Sequence, residues 1–194
     1  MPPRKTQFRK DHYYHIYNRG TNKENIFRKD DNYRFLLKQV KKYTLRDLIS
    51  VIAYCLMPNH YHFLLRQNSD ILISKCIQAI FNSYTKAFNK MFSRSGTLFE
   101  GRFKSVLIDT DEYLVHLCRY IHRNPIDTLH PLVNNLTDWK YSNYLEWIGR
   151  RNGELVDKKL IRTYFPDEIK YQEFVLEYTP SKSYNKLLEQ YLFD

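Results

Sequence analysis

The chain has 194 residues, 43% of them hydrophobic, and a formal net charge of +10; that is enough apolar side chain for a buried core and excludes a disordered or collagen-like polymer. The charge is lopsided: residues 1–124 carry 22 Lys+Arg against 10 Asp+Glu, and residues 125–194 carry 9 against 11. The first part is therefore the one suited to a polyanion, of which nucleic acid is the commonest. Cys55, Cys76 and Cys118 lie in apolar segments without C-x-x-C spacing, which argues against a disulfide framework or a cysteine zinc site, and no apolar run approaches membrane-spanning length. A soluble, cytoplasmic protein is expected.

A basic arm, Arg4, Lys5, Arg9 and Lys10, precedes His12 to Tyr17, a run of β-formers that ends in the turn signal Asn18-Arg19-Gly20. Asp30 or Asp31 is placed to cap a helix reaching about Tyr43, with Tyr33, Leu36, Leu37 and Val40 at helical spacing. Leu48 to Leu56 and His60 to Leu65 read as two strands joined at Met57-Pro58-Asn59. Ser69 or Asp70 starts a long helix whose stripe Ile73, Cys76, Ile77, Ile80, Phe81, Tyr84 and Phe88 holds the 3.6-residue period until Ser93 to Gly96. Phe103 to Ile108 is a fourth strand. Asp109, Thr110 and Asp111 cap a helix that runs to Arg123, before Pro125. Residues 126–139 read as a loop, and Tyr141 to Ile148, Asp157 to Phe165, Asp167 to Tyr178 and Lys182 to Leu192 as short helices. The order β-α-β-β-α-β predicts an α+β, ferredoxin-like (split β-α-β) antiparallel sheet with two helices on one face and an extra helix after it. Its other face is then a platform for nucleic acid.

His60-Tyr61-His62 carries the chemistry. Alternate residues of a strand share a face, so two imidazoles one residue apart can grip one cation, although a bare H-x-H also occurs as an ordinary core or surface pair. In the helix Asp111 to Arg123, Leu114, Leu117, Cys118 and Ile121 form the apolar face, while His116, Tyr120 and Asn124 follow at four-residue steps along its flank. A phenol and an amide one turn apart would supply a nucleophile and a third ligand if that flank met the histidines.

Four ordered motifs, Tyr14-His15-Ile16-Tyr17-Asn18-Arg19-Gly20, Met57 to Leu65 around the histidine pair, Gly101-Arg102-Phe103-Lys104-Ser105 and Tyr120-Ile121-His122-Arg123-Asn124-Pro125, resemble those of the single-tyrosine HUH transposases, the IS200-like enzymes. Trp139-Lys140-Tyr141-Ser142 and the helical tail are similar to the REP-associated tyrosine transposase branch. The resemblance implies a nuclease domain over residues 1–124, basic arm included, with residues 125–194 as a helical extension packed on it. It implies Tyr120 as the nucleophile, on a catalytic helix added to the sheet, with Tyr113 and Tyr61 as rivals for that role. His60, His62 and Asn124 would hold a divalent metal, Mg²⁺ or Mn²⁺; insertion-sequence members have glutamine where Asn124 stands, which leaves His116 as a substitute. Asn18, Arg19, Arg102, Lys104 and the arm residues Arg4, Lys5, Arg9 and Lys10 would bind DNA. The implied reaction is cleavage and strand transfer of hairpin-bearing single-stranded DNA through a 5′-phosphotyrosine, by a monomer or a homodimer exchanging catalytic helices. A catalytically inactive single-stranded nucleic-acid-binding module on the same fold is the alternative.

Overall fold

The computed structural model describes residues 6–157 and 159–178. Strands β1 (Tyr13–Arg19), β2 (Ile49–Leu56), β3 (His60–Gln67) and β4 (Lys104–Ile108) and helices α1 (Asp30–Thr44) and α2 (Ile73–Met91) follow one another as β-α-β-β-α-β. The strands form one antiparallel sheet in the order β2-β3-β1-β4, the ferredoxin-like arrangement the sequence predicts. Helix α3 (Asp111–Arg123) follows β4 after two residues, and the chain continues through α4 (Tyr144–Trp147), α5 (Lys159–Tyr164) and α6 (Glu168–Leu176).

Two cores sandwich the sheet because its strands alternate. Tyr14 and Ile16 of β1 with Tyr61, Phe63 and Leu65 of β3 face α1 and α2, where they meet Leu36, Val40, Ile77, Phe81 and Tyr84. On the opposite face Ile52, Ala53, Cys55 and Leu64 pack against Leu114, Leu117, Cys118 and Ile121 of α3 and against Tyr144, Trp147, Tyr171 and Val175 of the following helices. That second face is therefore no open platform for nucleic acid: α3 and the helices after it cover much of it.

Local differences from the sequence expectation have local causes. β1 runs through Asn18 and Arg19 because both still pair with β3, opposite Tyr61 and His60. α1 is capped by its own first turn, the Asn32 side chain accepting from the backbone of Arg28 and Lys29 at 3.0 Å, which leaves Asp30 to Arg34, Lys140 and Tyr141. α2 starts at Ile73, whose N–H is taken by the Gln67 side chain at 3.0 Å. Only Tyr144–Trp147 of the expected helix 141–148 forms, because Tyr141 to Asn143 instead lie along β2: Leu56 N–H donates to the Tyr141 carbonyl at 2.9 Å and Cys55 bridges Ser142. This covers an edge strand that would otherwise expose unpaired backbone groups. The expected helix 182–192 lies outside the described residues.

The β1 turn ends at Gly20, whose N–H donates to the Asn59 carbonyl at 2.8 Å, tying β1 to the histidine hairpin. A Cβ on Gly20 would stand 2.1 Å from the Glu24 carbonyl oxygen, closer than backbone atoms can yield without moving. Gly20→Ala is expected to lower stability by about 1–3 kcal/mol in urea unfolding; an unchanged midpoint would show that the loop absorbs the methyl freely.

Candidate active site

His60 and His62 open β3 directly after a tight hairpin closed by Met57 N–H donating to the His60 carbonyl at 2.9 Å. Both side chains point to the α3 face, their ring centroids 5.2 Å apart and nearly perpendicular. Register brings Tyr17 of β1 opposite His62. Tyr120, on the flank of α3, sets its ring edge-on to His62 with centroids 5.4 Å apart. One turn later Asn124, at the C-cap, donates from Nδ2 to the Tyr120 carbonyl at 2.9 Å, and its Oδ1 lies 3.2 Å from His60 Nε2. Phenol, amide and both imidazoles thus converge within a single chain.

The donor set suits a cation. The Nδ2 bond fixes the Asn124 amide so that its oxygen faces His60 Nε2, and the other nitrogen, His60 Nδ1, sits 2.7 Å from the Asn59 Oδ1 acceptor. In the tautomer with its proton on Nδ1, His60 presents the Nε2 lone pair beside the Asn124 oxygen, two donors that one cation could share. His62 is held at its own Nδ1, 2.9 Å from His15 Nε2. Burial, with the neighbouring imidazoles adding to it, pushes the His62 pKa well down, and burial alone lowers that of His15 to about 3, so both stay in the neutral form that ligates metal. Among the described residues no three His, Cys, Asp or Glu side chains cluster as a metal site; the candidate set is two imidazoles and an amide oxygen.

What holds α3 over the histidines is a buried polar clasp at His122. Asn143 donates from Nδ2 to the Ile52 carbonyl at 2.9 Å, so its Oδ1 accepts both Tyr54 N–H at 2.6 Å and His122 Nε2–H at 2.9 Å. His122 Nδ1 in turn accepts from the Tyr171 hydroxyl at 2.6 Å, and burial lowers the pKa of His122 to about 4. The Ile52 carbonyl is available because β2 bulges between Val51 and Ala53, and Trp147 Nε1 donates to it as well, at 2.9 Å.

His116 is engaged elsewhere. Its Nδ1 lies 2.7 Å from the Arg119 guanidinium and its ring packs on Phe174, which leaves Asn124 as the side chain on His60. Of the rival tyrosines, Tyr61 faces the other core, stacked on Phe81 at 4.2 Å, and Tyr113 is itself buried, two turns before Tyr120.

The cations expected to meet DNA divide into two groups. Arg19 is neutralised by Glu100, and Asn18 is buried, donating to the Gly101 carbonyl at 3.2 Å and accepting from Arg19 N–H at 2.9 Å; both brace the loop before β4. Arg102, Lys104, Arg9 and Lys10 are exposed. Lys104 Nζ stands 5.9 Å from the Tyr17 ring, on the histidine face. Arg102 lines a cleft of about 450 Å³ on the α2 side with Phe99, Phe103, Gln78 and Asn82. Arg4 and Lys5 lie outside the described residues. Sequence reasoning passed over His15 and Asn59 as contributors to the site, although strand alternation on β1 already places His15 and Tyr17 on one face.

The family model described as IS200-like transposase matches residues 8–124. Among solved structures, a REP-associated tyrosine transposase bound to a REP hairpin is 16% identical, with a TM-score of 0.61 over 82% of this chain and 96% of its own. A second, from Deinococcus radiodurans R1 and described as a presumed transposase, is 14% identical, with a TM-score of 0.42 over 63% of this chain and 96% of its own. Among curated protein sequences none is significantly similar to the chain.

The geometry separates the two histidines in stability. His62 is 1% exposed and lies under Tyr120, so it is not the rim residue its place after a turn suggests; His60 is only partly buried. His62→Ala is expected to cost about 1–3 kcal/mol in urea unfolding and His60→Ala under about 1 kcal/mol. Equal losses would mean that the two rings contribute alike to packing.

Proposed function

We propose that this chain, which belongs to the IS200-like transposase family, cuts and rejoins hairpin-bearing single-stranded DNA with Tyr120 as nucleophile. The observation that carries the proposal is the convergence in one chain of the Tyr120 ring on His62 and of Asn124 Oδ1 on His60. The phenol oxygen attacks the phosphorus of a backbone phosphodiester. As the P–Oη bond forms, the P–O3′ bond breaks; the phenol gives up its proton and the departing 3′-oxygen takes one. The products are a 5′-phosphotyrosine link and a free 3′-hydroxyl. Because one phosphodiester replaces another, an incoming 3′-hydroxyl reverses the step without nucleotide energy.

His60, His62 and Asn124 would hold a divalent cation, Mg²⁺ or Mn²⁺. When bound, it supplies positive charge that polarises a non-bridging phosphate oxygen and favours the charge developing at the transition state. The protein itself orients Tyr120, through the hydrogen bonds at Asn124 and the clasp at His122, and presents exposed cations to the flanking phosphates. Lys104 beside Tyr17 is placed for a phosphate next to the scissile one, and Arg102 with its aromatic cleft for a nucleotide farther along the strand. A hairpin substrate is supported by the REP hairpin held by the structural relative. Every group of this proposed site comes from one chain.

Incubating a hairpin-bearing single-stranded oligonucleotide with the protein and Mn²⁺ should give a covalent adduct on denaturing electrophoresis, lost on chelation and absent from Tyr120→Phe. Mass spectrometry of the trapped peptide should identify Tyr120. Hairpin binding without any adduct in the wild type would favour a binding module instead. Replacing Arg102 and Lys104 together by Ala should weaken hairpin binding and make its salt dependence shallower by about 1–2 in log–log slope; an unchanged slope removes both from the DNA path.

A further inference from the structure

We infer that His15 is a positioning residue that sets which nitrogen of His62 carries the proton and therefore which one faces the cation, an inference that rests on the metal-site reading above. His15 is completely buried on β1 and reaches diagonally to His62. The two rings lie within 20° of parallel with centroids 5.1 Å apart, yet His15 Nε2 and His62 Nδ1 are 2.9 Å apart; the nitrogens are much closer than the ring centres, as in an edge-to-edge hydrogen bond. Tyr17 stacks on His15 at 4.6 Å and 21° and fixes its plane.

One proton occupies that bond. If it sits on His62 Nδ1, His62 Nε2 keeps its lone pair and is competent to ligate metal. If it sits on His15 Nε2, the remaining proton of neutral His62 is on Nε2, and the ring turns an N–H toward the site. Metal binding thus requires His15 to act as acceptor, which puts its own proton on Nδ1. That atom is buried and has no hydrogen-bond partner among the described residues. Buried polar atoms are nearly always paired, and a merely structural residue here would be served by an apolar ring of the same size. The unsatisfied Nδ1 is explained by the acceptor that Nε2 provides, in the way outer partners of ligating histidines commonly fix the ring tautomer.

The test is Mn²⁺ titration of the full chain without DNA, read by electron paramagnetic resonance. His15→Phe keeps a ring and removes the acceptor; its Mn²⁺ dissociation constant should rise about 10–100-fold, while the metal-free melting temperature and hairpin binding in chelator stay near wild type. His15→Gln, which offers an amide oxygen, should recover most of the Mn²⁺ affinity. Should His15→Phe fail to fold, two-bond ¹H–¹⁵N spectra of the Mg²⁺-loaded wild type decide, with His62 expected protonated at Nδ1. Wild-type Mn²⁺ affinity in a folded His15→Phe, or a His62 proton on Nε2 in the loaded protein, overturns the role of His15. A wild type that binds no Mn²⁺ overturns the metal site itself, and the inference with it.

Discussion

The lie of α3 across the second face of the sheet is the constraint on which the candidate site depends. Tyr120 and Asn124 belong to this helix, while His60 and His62 belong to β3, so the site exists only at one register of helix against sheet. A slip of one turn would carry the phenol about 5.4 Å along the axis, out of contact with His62. Apolar packing of Leu114, Leu117, Cys118 and Ile121 drives the docking, but such packing tolerates sliding because it has no direction. The directional element is the clasp at His122, where two ring nitrogens meet two fixed partners, Asn143 and Tyr171. Asn143 is itself referred to the sheet through Ile52 and Tyr54. A bulge in β2 is thus tied through two side chains, Asn143 and His122, to the helix that carries Tyr120.

Charge is distributed with a similar division of labour. The interior of the site is neutral, its buried imidazoles kept unprotonated by burial, which makes them ligands and not anion-binding cations. Positive charge lies outside: Lys104, beside Tyr17, and Arg102, on the α2 side, are exposed, whereas Arg19 pairs with Glu100. Exposed cations attract a phosphate chain over the range set by salt screening without paying for desolvation. A cation buried beside His62 would instead repel the metal. The +12 excess of residues 1–124 is thus compatible with a site that has no positive side chain among its proposed ligands.

How much of this was legible in the sequence follows from how far each feature reaches along the chain. The strand alternation that aligns His60 with His62 and the four-residue steps that align Tyr120 with Asn124 are local, and both read correctly. Which core each element faces was partly legible: the stripe of α2 was, but the cover over the second sheet face was not, because α3 lies across it and residues 141–147 fold back on β2 beside a bulge. Hydrophobic period carries no sign of a carbonyl left free at Ile52. His116 shows the limit of spacing arguments, since four residues span 400° and not 360°; the drift of about 40° per step carries it toward Phe174 while Asn124 swings to His60. His15 was hidden for a different reason. A histidine within a run of β-formers reads as filler until its nitrogen is seen against that of His62.

How firmly the proposed nucleophile is held bears on what substrate the proposed reaction accepts. α3 follows β4 after two residues and is clasped at its far end, so in the reaction proposed above the scissile phosphate would come to Tyr120. His62 and Tyr17 lie almost wholly buried beneath and beside that ring, so the proposed approach runs between helix and sheet. A single strand can bend its backbone into such a space because its unstacked nucleotides rotate freely, whereas a duplex would have to part its strands first and bear the cost of unstacking. The hairpin would then be recognised outside the crevice while the flanking single strand enters it. On this view a preference of the proposed reaction for single-stranded DNA would come from how firmly α3 is held down, while two of the three proposed ligands, His60 and His62, lie on the sheet and not on α3.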